Sequence, residues 1–346
     1  MTMSLAVVIP AHNAASTLPA CLSALAASDR SPEAVVVVDD GSTDTTAELA
    51  RAAGVEVLST GDRPVGAAAA RNLGVQRTRG DVVVFVDADV AVHPDALRRF
   101  AERLAESPGI DAVFGSYDAQ PPCRTAVSLY ANLRHHYTHQ KASPRAWTFW
   151  SGLGAMRRTT FESLGGFDER WGTDAEDIEL GMRLWSRGGD IRLDRQILAT
   201  HHKRWTLASL IRADIKSRAI PWTRLLLRIP DVPRDLNLGW SARLSAGLVA
   251  MMPLLAFAGF WRPWCWAGLP AAVLGVVGLN AGLYRCFWRH GGAGTAAAAL
   301  LLHPMHLGYS AVIFGSMSLY DRLTGRVSQA STADLHESES AAKRLP

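Results

Sequence analysis

Two aspartates, Asp87 and Asp89, flank Ala88 at the exit of the apolar run 81–86, DVVVFV. Unbroken Val and Phe without polar alternation predicts a strand buried on both faces of a parallel sheet. Residues two apart point the same way while the chain stays extended. Paired carboxylates repel, and a cation or donor groups between them relieve that repulsion. An all-oxygen environment of this kind suits Mg²⁺ or Mn²⁺, ions that share their coordination with substrate phosphates. An Asp-x-Asp pair also arises by chance on a surface, so the rest of the chain must decide.

Residues 35–44 read VVVVDDGSTD, a buried strand, two carboxylates, a Gly-Ser turn and a helix start. Asp39 and Asp40 stand at the strand exit, where a carboxylate can accept from a base imide or a ribose hydroxyl. The structural alternative makes Asp40 and Asp44 turn and cap formers, and Asp44 fits that alternative better. Residues 66–74 read GAAAARNLG. The small side chains allow close approach to another backbone, and Arg71 either reaches a phosphate or base or stands exposed beside a packing face.

A third group lies further on. Residues 148–154 (TFWSGLG) and 164–171 (LGGFDERW) precede 173–184, TDAEDIELGMRL. Thr173 and Glu176 have capping-box spacing, which gives Glu176 a structural role. Asp177 is left for chemistry. The helix dipole favours its charge and argues against a raised pKa. A base that takes a proton from a hydroxyl still works by position, worth roughly 10²–10⁴ in rate.

The elements that must position these residues alternate through residues 4–197. Strands are predicted at 5–9, 34–38, 55–58, 81–86, 112–115 and 191–200. Helices are predicted from Ser16/Thr17 to Ala26, from a capping box at Thr45 and Glu48, and over 66–78 and 94–106. This pattern implies an α/β, Rossmann-like, mostly parallel sheet with ligands at the carboxyl ends of its strands.

Taken in order, VVIPAHN, VVVVDDGSTD, GAAAARNLG, FVDADV, GGFDE and AEDIELGMRL resemble the family-2 inverting glycosyltransferases of the A-type nucleotide-diphospho-sugar fold. The spacing is compatible, with 48 residues from Asp39 to Asp87 and 90 from Asp87 to Asp177. The resemblance covers about residues 4–205. It implies that Pro10, Ala11 and Asn13 line the nucleotide cleft, with Asp39 or Asp40 on the base or ribose and Arg71 assisting. Asp87, Ala88 and Asp89 would meet the metal-diphosphate, and Asp177 would deprotonate the acceptor. His201-His202-Lys203-Arg204-Trp205 stands where a histidine of related enzymes can join the metal shell, a role left open here between His202 and His201. His201, Arg204 and Trp205, with Trp150, Gly152 and Glu176, are candidate diphosphate or acceptor contacts. An interfacial basic cluster is the alternative. Processive synthases carry Gln-x-x-Arg-Trp near this place. The histidine in place of glutamine speaks against long-chain polymerisation. Residues 134–141 (RHHYTHQK) could lie under an acceptor phosphate, and a solvated loop is the plainer reading.

From residue 244 the character changes. Residues 244–261 and 264–284 carry no charge, and 295–320 carry none apart from His303 and His306. About 20 apolar helical residues cover a hydrocarbon core of roughly 30 Å, so three spans are expected. Tryptophans 261, 264, 266 and 288 sit near their ends, where amphipathic rings favour the interface. Arginines before residue 244 and at 285 and 289 lie on one side of the first two stretches, which predicts a cytoplasmic catalytic part. Residues 206–238 mix Leu, Ile and Trp with arginines and read as two short amphipathic interfacial helices.

The expected organisation is a catalytic domain at 1–205, interfacial helices at 206–238, a membrane region at 239–322 and a disordered tail at 323–346. The 346 residues carry 36 Lys+Arg against 32 Asp+Glu, a net +4 too small to argue for nucleic acid. Four scattered cysteines show no metal or redox spacing. The first ten residues read as a strand, not a cleaved signal.

The expected activity is metal-dependent, inverting transfer of a sugar from a nucleotide-diphospho-sugar, with Mg²⁺ or Mn²⁺, to a lipid-linked acceptor such as a polyprenyl phosphate or glycolipid. A growing envelope polysaccharide is the alternative acceptor, and a non-catalytic membrane scaffold the alternative class. A dinucleotide oxidoreductase lacks its Gly-x-Gly-x-x-Gly after the first strand.

Overall fold

A computed structural model describes residues 3–229, 233 and 239–325. The chain divides into two compact units. The first comprises Met1–Cys123 and Thr138–Arg204, the second Arg124–Tyr137 and Trp205–Pro346.

The first unit runs β1 (Leu5–Ala11), α1 (Leu18–Ala26), β2 (Ala34–Asp39), α2 (Thr46–Ala52), β3 (Glu56–Ser59), α3 (Ala67–Arg77), β4 (Val82–Val86), β5 (Val90–Val92), α4 (Ala96–Glu106) and β6 (Ala112–Tyr117). After α5 (Ala126–Lys141), which begins in the second unit and ends in the first, come β7 (Arg145–Ala146), β8 (Leu153–Arg157), α6 (Arg158–Ser163), α7 (Glu176–Ser186) and β9 (Ile191–His201). The strand order is β3-β2-β1-β4-β8-β6-β9-β5, with β7 beside β9.

The half β3-β2-β1-β4 is parallel. Every residue of β4 is fully buried, the outcome expected for a strand covered on both faces. The sheet as a whole is mixed. β8 runs antiparallel to both β4 and β6, β5 and β7 run antiparallel to β9, and only β6 and β9 restore a parallel pair. The strand β8 (LGAMR) lacks the continuous β-branched run that marks β1, β2 and β4.

Helices α1 and α4 supply Leu18, Leu22, Leu97, Phe100 and Leu104 to the same buried cluster as the odd-numbered residues of β1. Full burial of each large side chain contributes about 1.5–3 kcal/mol. The small residues of α3 allow it to lie against the sheet, as expected. A Cβ at Gly74 would stand 2.4 Å from Cγ1 of Val8.

Two local expectations need correction. Thr45 makes no side-chain cap on α2. Asp44 does that work, accepting from Thr46 N at 3.0 Å and from Ala15 N at 3.1 Å. Residues 134–141 are not a loop but the second half of α5, and His139 is buried there.

The second unit is helical. Its described elements after α5 are α8 (Leu207–Arg212), a π-helical segment Ala213–Ala219, α9 (Ile220–Arg228), α10 (Trp240–Ala258), α11 (Gly268–Leu279), α12 (Ala281–Cys286), a second π-helical segment and α13 (Gly292–Thr324). The two amphipathic helices expected over 206–238 form one run from α8 to α9, and Pro221 sits within the first turn of α9. Inside this unit Asp214, 1 % exposed, meets Arg134 at 2.8 Å, Arg218 at 2.6 Å and His306 at 3.1 Å, and accepts from the Tyr309 hydroxyl. A carboxylate so buried is tolerated because it is paired on every side.

Among the described residues two helices are long and apolar enough to cross a membrane, Trp240–Ala258 and the continuous run Ala281–Thr324. The third expected span, the middle stretch, is shorter. It is apolar only over Pro263–Leu279, starting as a 3₁₀ turn at Pro263 and ending where Asn280 leaves helical geometry. The Asn280 amide nitrogen donates to Ser245 Oγ and Val276 O, both at 2.8 Å. Residues 230–232, 234–238 and 326–346, including most of the expected tail, lie outside the described residues.

Leu254, Phe260, Trp264 and Leu301 are each more than two-thirds exposed, an apolar surface that lipid would satisfy. The full chain in native membranes is therefore expected to resist alkaline carbonate extraction and to need detergent. Release into the carbonate supernatant would reject a membrane-embedded second unit.

Candidate active site

β2, β1 and β4 are parallel neighbours, so their carboxyl ends open on one edge, where open α/β sheets bind ligands. Ala11 pairs with Asp39 there, and Asp87 follows Val86. Pro10, Ala11, Asn13, Asp39, Asp40, Asp87, Ala88 and Asp89 thus share one rim of the sheet. Asn13 takes positive φ (48°), which asparagine tolerates. Its Oδ1 accepts from Thr43 N at 2.8 Å and its own N–H donates to Ser42 Oγ at 2.9 Å.

Of the two neighbouring aspartates, only Asp39 keeps carboxylate capacity. It is half-buried and accepts from Ser42 N at 3.3 Å. Asp40 is 4 % exposed and accepts from Thr60 Oγ1 at 2.7 Å and from Val65 N and Gly66 N at 2.9 Å. The expectation that Asp40 holds base or ribose is corrected. Its carboxylate fastens the loop entering α3. Gly66 ends that loop at φ 107°, and a Cβ there would meet Gly172 Cα at 2.8 Å, so this corner demands glycine.

Arg71 is not the exposed arginine allowed for above. It is 3 % exposed, with Nη2 on Asp87 Oδ1 at 2.7 Å and Nη1 on Glu176 Oε1. Its guanidinium lies over the Phe167 ring, 5.5 Å from the centroid. The charge is held firmly on the arginine. Burial opposes it, but Asp87, Glu176 and Asp177 together raise its pKa. Next to it Asn72 clamps the 167–169 turn, accepting from Phe167 N and donating to Phe167 O and Glu169 Oε1, all at 2.9 Å.

Glu176 does not complete a capping box with Thr173. It is the first residue of α7, behind Ala175 at φ 65°, so it cannot fold back as the third residue would. Left-handed backbone costs an alanine roughly 1–2 kcal/mol. Buried beside Asp177, Glu176 has its pKa pushed up to about 7 despite Arg71.

Asp177 is half-buried, with Ser151 N at 3.0 Å and Ser151 Oγ at 3.3 Å donating to Oδ2 and Ile178 N at 2.7 Å to Oδ1. Its pKa is raised, contrary to the expectation from the helix dipole. Burial is the main cause and Asp87 adds to it, outweighing Arg71 and the amide donors. A half-buried carboxylate with raised proton affinity suits general-base work.

On the other side of the rim, His201 and not His202 faces Asp89. His201 Nε2 is 3.5 Å from Asp89 Oδ2, and Lys203 Nζ is 3.8 Å from the same atom. His202 meets Asp89 through its backbone N–H, at 2.8 Å from the carbonyl. Burial would raise the Asp89 pKa, but His201 and Lys203 hold it down at about 2.

The His201 ring stacks on Tyr117 (4.3 Å, 6°), Tyr117 meets Trp150 edge-on (4.7 Å, 84°), and Trp150 meets His139 (5.0 Å, 70°). Sequence reasoning missed Tyr117, whose place at the end of β6 was the only available signal, and Asn72, which lies inside α3 and gave none; His139 fell within the run 134–141 read as a loop. Gly152 lies against the Trp150 indole. Arg204 is exposed, and Trp205 is buried in the second unit with Arg218 over its ring.

Among the described residues no group of three or more His, Cys, Asp and Glu could hold a metal ion. Asp89 and His201 offer two donors, and Asp87 has one oxygen on Arg71. Mg²⁺ and Mn²⁺ sites use one or two carboxylates and draw the rest from substrate phosphates and water. The donor set fits that type of ion.

Residues 6–165 match the model of glycosyl transferase family 2. The chain is 27 % identical over 206 residues to Glycosyltransferase AglE of Haloferax volcanii, covering 57 % of this chain and 66 % of that one. It is 39 % identical over 115 residues to the undecaprenyl-phosphate 4-deoxy-4-formamido-L-arabinose transferase of Pseudomonas paraeruginosa, covering 31 % and 33 %. The chain therefore spans less than two thirds of either relative. Mannosyltransferase PcManGT from Pyrobaculum calidifontis, solved with GDP-Man and Mn²⁺, aligns with TM-score 0.53 over 94 % of this chain and 88 % of that one, at 20 % identity. That likeness shows the fold, the A-type glycosyltransferase sheet.

Near the rim His93 Nε2 lies 3.0 Å from Asp118 Oδ2, which also accepts from the Thr200 hydroxyl. The hydrogen bond to Asp118 raises the His93 pKa. Burial would raise that of Asp118, but His93 and Thr200 lower it. Stability from a raised histidine is fully present below its unfolded value of about 6.5 and fades as pH rises through the folded one. Stability from the lowered aspartate is fully present above about 3.9 and fades as pH falls through its folded value. The melting-temperature difference between wild type and His93→Asn is thus expected to be largest near pH 5–6 and to shrink toward pH 8.

Proposed function

We propose that this chain, whose residues 6–165 belong to glycosyl transferase family 2, transfers a sugar with inversion from a nucleotide-diphospho-sugar to a hydroxyl of a membrane-presented, lipid-linked acceptor. The observation carrying this reading is the meeting of Asp87 from β4 with the first turn of α7. Asp87 and Glu176 are 89 residues apart in sequence and joined through the buried Arg71 guanidinium. The donor lies at the carboxyl edge, with Pro10, Ala11, Asn13 and Asp39 around the nucleoside. Asp89 and His201, with the free oxygen of Asp87, would hold a divalent cation. That cation, when bound, offsets charge developing on the diphosphate.

Asp177 takes the proton of the acceptor hydroxyl as its oxygen forms the new bond to the anomeric carbon. The bond from that carbon to the diphosphate breaks, and the nucleoside diphosphate leaves with the electron pair. One displacement from the opposite face inverts the carbon. A phosphate acceptor already carries a negative charge and needs no base. A working Asp177 therefore points to a hydroxyl acceptor and away from a bare polyprenyl phosphate.

Two helices long and apolar enough to cross a membrane, and an arginine-rich run ahead of them, support a lipid-linked substrate and a cytoplasmic catalytic face. Membranes containing the protein are expected to release nucleoside diphosphate from a donor panel, to stop on chelation and to recover with Mn²⁺ or Mg²⁺. Asp177→Asn should lower transfer by roughly 10²–10⁴. Donor radiolabel should partition into organic-extracted lipid. Label only in aqueous polymer would instead favour a polysaccharide acceptor, and wild-type turnover in Asp177→Asn would reject the base.

A further inference from the structure

We infer that Glu176 is a positioning residue, which holds the first turn of α7 through Arg71 so that Asp177 meets the acceptor, and that Glu176 does not itself touch substrate. The inference rests on the reading of Asp177 as the base. Its grounds are geometric.

The Glu176 side chain is 7 % exposed, and Oε1 is bound to a guanidinium that is itself buried. Arg71 cannot swing to follow a ligand, because its second terminal nitrogen is fixed on Asp87 and its face is covered by Phe167. The neighbouring Asn72 ties the 167–169 turn to the same helix. Ala68 N donates to Gly172 O at 3.0 Å, so α3 grips the segment ahead of α7 at three successive points.

Only two described residues other than glycine have positive φ. One is Asn13, and the other is Ala175, immediately before Glu176. A left-handed alanine persists when its surroundings over-determine it, and such residues gather at functional sites. Here the over-determination comes from the Glu176–Arg71 pair on one side and the Gly172 contact on the other. Asp177 inherits its place from that turn. Its own bonds to Ser151 and Ile178 orient the carboxylate but leave the helix start to Glu176.

A purely structural ion pair would change melting temperature and leave the chemistry of folded protein untouched. The test uses full-length protein in native membranes, with kcat and KM for donor and acceptor measured on Glu176→Ala, Glu176→Asp, Glu176→Gln and Asp177→Asn. Misplacement of a reacting group by an ångström costs about 10²-fold. Glu176→Ala and Glu176→Asp, whose carboxylate is one methylene short of Arg71, are expected to lower kcat by about that factor, with both KM values within about twofold of wild type. Glu176→Gln keeps an oxygen for Arg71 and should recover most of the loss.

Wild-type kcat in folded Glu176→Asp or Glu176→Ala, while Asp177→Asn is inactive, overturns the positioning role and leaves the base standing. A raised acceptor KM at unchanged kcat also overturns it, by making Glu176 a substrate contact. Full activity in Asp177→Asn removes the reading beneath both. If Glu176→Ala cannot be recovered folded, the Glu176→Asp result decides.

Discussion

A single guanidinium removed from water carries the arrangement of the first unit. Arg71 reaches the sheet through Asp87 and the last helix before β9 through Glu176, and both partners are anions. Burying one such charge costs several kcal/mol, and two carboxylates around it supply compensation that one could not. The triad carries one surplus negative charge. Burial is the main reason the proton affinities of Glu176 and Asp177 are raised, with Asp177 adding to it at Glu176 and Asp87 adding to it at Asp177.

The same logic recurs in the second unit with the signs reversed. There a buried Asp214 is surrounded by Arg134, Arg218, His306 and Tyr309. Desolvated charge is acceptable in each place because several elements converge to pair it. Those elements come from distant parts of the sequence, namely α5, the π-helical segment and α13 in one case and α3, β4 and α7 in the other. Such pairing favours one register of the elements that meet there.

The parallel half of the sheet was legible because a strand covered on both faces leaves a run of Val with no polar break. β1, β2 and β4 carry that run, and their carboxyl ends follow from it. β8 and α5 were not legible. LGAMR has little β-branched content, and RHHYTHQK has no apolar period of its own, so their identities come from tertiary contacts. Asp40 and Asp39 are adjacent and chemically identical. Only the fold of residues 60–66 decides that Asp40 is spent on backbone amides. The shift at Asp177 was misjudged because the helix dipole can be read from sequence while burial and the nearness of Asp87 cannot. The middle apolar helix is shorter than the expected stretch for a local reason. It starts from a 3₁₀ turn at Pro263 and stops where Asn280 leaves helical geometry, a detail that hydropathy averages away.

The parallel stacking of His201 on Tyr117 restricts how Asp89 can be used. An imidazole wedged flat against a phenol, itself fixed edge-on by Trp150, has lost its rotational freedom before any visitor arrives. The entropy of freezing that ring was spent when the chain folded, so capture of a ligand bears none of it. The same wedge sets a limit. Whatever Asp89 receives meets a ring nitrogen already set in one direction, 3.5 Å from the carboxylate, and has to suit that direction.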